Sequence, residues 1–113
     1  VVEFSWKSDT VGNVSGVGSI SNISGRVEQV EFIPASGDVT PSANYDVQIL
    51  DKWGRDVLFG CGANLSASAA AFDNIIGPYS NAGEKLNLIN TSLNLVVANA
   101  GNSKKGTVIL LLR

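Results

Sequence analysis

Histidine is absent from this chain of 113 residues. Its absence removes Ser-His and Cys-His nucleophilic pairs in one step, along with the commonest transition-metal ligand. Cysteine occurs once, as Cys61. A lone cysteine excludes an internal disulfide and a Cys-based zinc site within one chain, and gives no sign of an oxidising compartment. Flanked by Gly60 and Gly62, with no basic neighbour, Cys61 reads as a small buried residue rather than a reactive thiol. Charge is scarce too: Asp, Glu, Lys and Arg make up 16% of the chain, where about 25% is usual. A surface so poor in charge must be covered by Ser, Asn, Gly and Thr, or by other subunits. The basic residues are scattered apart from Lys104-Lys105, and none interleave with aromatics, so no nucleic-acid partner is expected. No run approaches the length of a membrane span and no basic-then-apolar leader is present, so no membrane partner is expected either.

What is present is strand and turn. The chain is organised around Tyr45 to Phe59, YDVQILDKWGRDVLF. Tyr45, Val47 and Ile49 alternate with wetter positions, the period of a strand. Asp51-Lys52-Trp53-Gly54 breaks the alternation with turn chemistry, and Val57-Leu58-Phe59 reads as a returning strand. The result is a β-hairpin with Trp53 at a charged tip, where turns rarely need a tryptophan.

At the N-terminus, Val2, Phe4 and Trp6 share one face of a first strand, or of an arm that pairs when it finds a sheet edge. A Gly/Ser-rich stretch follows, with a short strand expected at Val17 to Ile20. Arg26 to Ile33 reads as a strand bulged near Glu28-Gln29, which turns Val30 and Phe32 inward. Asn64 to Phe72 (NLSASAAAF) suggests one or two helical turns. Leu86 to Asn99 alternates around an interruption at Asn90 to Ser92. Thr107 to Leu112 is apolar on both faces, as in a central strand or a subunit contact. The expectation is an all-β antiparallel sandwich or jelly roll of about seven or eight strands. It forms a single domain, with residues 1–22 as a strand or arm plus loop and residues 23–113 as the body.

Candidate chemistry is thin. Asp46, Asp51 and Asp56 recur every five residues, and a carboxylate pair can hydrolyse glycosides. Turn capping by Asp51 and Asp56 explains them better, with Asp46 on a polar strand face. Lys52, Trp53 and Arg55 interrupt any calcium loop between those acids. Gly16-Val17-Gly18 and Gly60-Cys61-Gly62 lack the further glycines and the lysine of a phosphate loop. The Asn-x-Ser triplets at Asn13, Asn22, Asn64 and Asn90 are no more than chance supplies in a chain rich in both residues. No catalytic, cofactor-binding or metal residue is expected, and the chain does not read as an enzyme.

Three stretches together resemble a family of small structural proteins encoded in tailed-bacteriophage genomes. They are Ile23-Ser24-Gly25 leading into Val30-Glu31-Phe32-Ile33-Pro34, then Tyr45 to Leu65, and the closing LNLVVANAGNSKKGTVILLLR. The resemblance implies a virion component, a decoration (cement) protein on the phage head, made in the host cytoplasm and bound to the major capsid protein or another virion protein. It brings no catalytic residues with it. At Lys52-Trp53 this chain departs from the family, which is more often acidic and small there.

A homo-oligomer is expected, a trimer by analogy with decoration proteins on three-fold positions. Val2, Phe4, Trp6, Trp53 and Leu111 are the expected contacts, since exposed aromatics anchor interfaces. Core packing is the competing reading for Phe4 and Trp6. The alternative function is a carbohydrate-binding or adhesive module of a tail fibre or cell surface, stacking sugars on Trp6, Trp53 or Tyr79.

Overall fold

A computed structural model describes residues 1–75 and 85–113. Among the described residues six strands run in chain order: β1 (Val2–Lys7), β2 (Val14–Pro34), β3 (Asp46–Leu50), β4 (Ala71–Asn74), β5 (Asn87–Ala98) and β6 (Lys105–Leu112). Among the described residues the only helical element is a 3-10 turn at Gly37–Val39. Every pairing is antiparallel, in the order β1-β6-β2-β5-β3, with β4 added along β2.

The long strand β2 shapes the whole. Its first half pairs with β5 up to Arg26, and its second half pairs with β6 from Val27 onward. Gly25 stands just before the switch, at φ 140°, a conformation that side chains with a Cβ rarely adopt. Counting the two halves of β2 separately gives seven strands. The sheet curls into a half-barrel, a β-sandwich-like arrangement. Residues 1–22 are therefore no appendage. β1 is zipped along β6, and β2 crosses the 22/23 boundary without a break.

The core fills the inside of the curl, where Phe32, Tyr45, Ile49, Leu58, Leu93, Leu95 and Leu110 are all buried. The expected bulge is present: the β2–β6 register slips between Val27 and Gln29, and Val30 and Phe32 point inward after it. The interruption in β5 is real as well. Asn90 takes φ 43°, and the buried side shifts from Leu88 to Thr91.

Two expectations fail locally. The stretch from Asn64 to Phe72 makes no helical turn; it ends in β4, which pairs with β2. So short a helix is marginal alone, and the open edge of β2 offers its backbone a ladder instead. Thr107 to Leu112 is central in the sheet, between β1 and β2, but within one chain only one of its faces is covered. Val108 and Leu110 are buried, while Thr107, Ile109 and Leu111 look outward and are half-exposed.

Tyr45 packs beside Trp6, ring centroids 5.7 Å apart, and burial pushes its phenol up to about 12. A raised pKa stabilises the fold fully below the unfolded value near 10 and is lost as pH climbs towards 12. Alkaline unfolding should therefore set in across that window. In Tyr45→Phe it should move to higher pH, as urea midpoints measured between neutral pH and the window would show. An unchanged alkaline limb would refute the assignment.

A candidate docking site at the Trp53 tip

β3 ends at Leu50, and from Asp51 the chain must reverse within a few residues. Asp51 makes the turn with its own side chain. Its Oδ1 accepts the N–H of Trp53 at 2.9 Å and of Arg55 at 3.0 Å, and its Oδ2 accepts Arg55 Nε at 2.8 Å. The backbone closes the same loop, Gly54 N–H donating to the Asp51 carbonyl at 3.0 Å with Gly54 at φ 78°. Burial of Asp51 acts to raise its pKa. The hydrogen bonds from Arg55 and Trp53 and the guanidinium charge outweigh that and hold the carboxyl below its ordinary value. Because Arg55 is 59% exposed, its charge is screened by water, and the amide bonds to the buried carboxylate matter more than the ion pair.

The tip is also tied to β5. Lys52 N–H donates to Thr91 Oγ1 at 3.1 Å, and Lys52 Nζ donates to the Asn90 carbonyl at 3.3 Å while lying 5.4 Å from the Trp53 ring centroid. Trp53 nonetheless stays 73% exposed and Ile89 78% exposed. Both border one shallow depression, with Arg55, Asn87 and Thr91 around it. The backbone that carries a large aromatic is thus held in place by hydrogen bonds, and the ring is presented to solvent.

The other two aspartates are likewise engaged by backbone. Asp56 accepts the N–H groups of Leu58 (3.1 Å) and Gly60 (3.0 Å), and a longer one from Ile49 (3.3 Å). This capture stops the expected returning strand. After the Leu50–Asp56 bridge and the Val57 N–H bond to the Ile49 carbonyl (2.8 Å), the chain coils, with Phe59 at φ 50°. It meets β3 again where Val47 N–H donates to the Gly62 carbonyl at 2.7 Å, just before the Tyr45–Leu65 bridge. Asp46 accepts Asn64 N–H at 2.9 Å and Asn99 Nδ2 at 2.7 Å. The three carboxylates are turn and loop fasteners. Cys61 is half-buried. Burial first, then the charges of Asp73 and Asp56, push its thiol up, so the reactive thiolate is disfavoured. Among the described residues no three His, Cys, Asp or Glu side chains gather as metal ligands would.

Of the five residues expected at a partner contact, the fold buries three in its own core. Val2 is 9% exposed, Phe4 2% and Trp6 3%. The alternation of β1 aims them inward once β1 pairs with β6, and pulling Phe4 out would forfeit about 1.5–3 kcal/mol. They are not available as exposed anchors, and Trp6 is not available to stack a sugar. Trp53 and Leu111 remain at the surface, on different parts of the molecule. Tyr79 lies outside the described residues. Sequence reasoning missed Ile89 and Thr91, although the break at Asn90 to Ser92 marked their place.

No family model matches the chain, and no curated protein does. Among solved structures, one of PirA is similar over 100% of this chain and 94% of that one, at 14% identity and a TM-score of 0.32.

Proposed function

We propose that this chain is a non-enzymatic structural protein of a phage virion, a decoration (cement) protein that docks on the outer head surface through its Trp53 tip. The carrying observation is an exposed Trp53 whose backbone is fixed by a buried Asp51 and whose ring is bordered by the exposed Ile89. Tryptophan is enriched among residues that dominate interfaces, and an anchor whose backbone is already ordered loses less freedom on binding. The resemblance of the sequence to small phage structural proteins supports the same reading, as do three aspartates occupied with backbone amides.

The test is co-sedimentation of the purified chain with undecorated heads of the phage that encodes it. Wild type should pellet with the heads. Trp53→Ala should bind at least about tenfold more weakly, the loss of a typical anchor, with an unchanged melting temperature. Failure of the wild type to bind any head, or equal binding by the variant, would refute the proposal.

The depression beside Trp53 favours one alternative, a carbohydrate-binding or adhesive module with Trp53 as stacking platform and Asn87 reading hydroxyls. Glycan-array binding lost in Trp53→Ala, without head binding, would select it. A gene lying among fibre genes rather than beside the major capsid gene would point the same way.

A further inference from the structure

We propose that β1 is a self-association edge, pairing antiparallel with β1 of a second copy about a two-fold axis through Ser5. The proposal does not depend on head binding and concerns the free protein.

β1 lies at the end of the strand order, and among the described residues no strand or loop hydrogen-bonds its outer edge. Which backbone groups face that edge follows from one bond. Ser8 N–H donates to the Lys104 carbonyl at 2.8 Å, on the β6 side. Antiparallel ladders alternate, so Trp6 and Phe4 also turn their backbone groups to β6. Glu3, Ser5 and Lys7 then turn theirs to the open edge. A free row of this kind is a template for another strand.

The side chains choose the strand and its register. With Ser5 opposite the partner's Ser5, Glu3 stands opposite the partner's Lys7, and Lys7 opposite the partner's Glu3. All three are residues whose backbone faces the edge, so the charge match and the hydrogen-bond pattern agree. Sliding by two residues either way places Glu3 opposite the partner's Ser5 or the partner's Asp9, with no cation to meet it. Neither Glu3 nor Lys7 forms an ion pair within the described chain. On the inner face Phe4 comes opposite the partner's Trp6, so the buried layer continues from one copy into the next. A two-fold pairing closes at two copies, unlike the three-fold assembly expected by analogy.

The experiment is mass measurement by light scattering across the micromolar range, with charge variants. Wild type should be a dimer. Glu3→Lys and Lys7→Glu should each halve the mass alone, and mixing the two should restore a dimer, because each then meets the opposite charge. Ser5→Pro should also give a folded monomer, since the N–H it removes faces outward. A monomeric wild type, a trimer, or a dimer that survives both charge variants would overturn the proposal. So would variants that stay monomeric when mixed. If Ser5→Pro fails to fold, the mixing result still decides. Head binding by Trp53 is read in a different assay on different residues, so either proposal can fail alone.

Discussion

Gly106→Val should destabilise the protein by about 3 kcal/mol or more, lowering its melting temperature by about 10 °C or more. Gly106 pairs directly with Trp6 across the β1–β6 ladder, both facing inward. The indole lies over the glycine so closely that an added Cβ would meet Trp6 Cζ2 at 2.5 Å and Nε1 at 2.9 Å. The ring has little room to withdraw, being 3% exposed and packed against Tyr45. A glycine in a strand interior ordinarily weakens it, but here the ring occupies the space a side chain would take. A double-mutant cycle isolates the contact. With Trp6→Leu in place the clash is relieved, so Gly106→Ala should cost much less there than in wild type. Equal costs in both backgrounds, read from urea midpoints, would show that the indole is not the obstacle.

Asp51→Ala should cost about 2–4 kcal/mol, because it leaves the Trp53 and Arg55 amides without their acceptor and the guanidinium without its partner. Asp51→Asn should cost less at neutral pH, since the amide oxygen still accepts. The two isosteres also differ in acid. The Asp51 carboxyl sits below its ordinary value in the fold. A lowered pKa stabilises the native state above the unfolded value near 4, and that stabilisation is lost as pH falls through the folded value. The gap between wild type and Asp51→Asn should therefore be widest near neutrality and close on acidification below about pH 4. Asp9 loses stabilisation in the same direction: the Asn13 amide, acting against desolvation and joined by Val11 and Gly12, holds its carboxyl low in the β1–β2 turn. Only the Asp51 share should vanish from the wild-type-minus-variant difference. A constant gap from neutral pH to strong acid would refute the assignment.

Much of this fold was legible because strand alternation reports which side of each strand is wet. It placed Val30 and Phe32 inward, the bulge before them, and the break at Asn90. It also exposed the tip, since Asp51-Lys52-Trp53-Gly54 can hardly continue a strand. The failures have physical causes as particular as the successes. Alternation in β1 marks Val2, Phe4 and Trp6 as one face but not what that face meets; pairing with β6 turned it to the chain's own core. The apolar run Thr107 to Leu112 hides its wet side because Ile109 and Leu111 are as apolar as Val108 and Leu110. The returning strand at Val57 to Phe59 is lost to a side chain, the Asp56 carboxylate taking amides that a ladder would have used.

By itself, the sequence determined an all-β chain, the turn at Asp51 to Gly54, and a chemistry without histidine or paired cysteine. These depend on residue type and on spacing within a few positions, which a linear string carries in full. The tertiary structure alone decided that β2 serves both halves of the sheet, that Trp6 rests on Gly106, and that Ile89 stands beside Trp53. It also decided that, among the described residues, one edge of β1 has no partner strand. Those facts join residues far apart in the chain, and which of many compatible strand pairings forms depends on how all the faces close around one core.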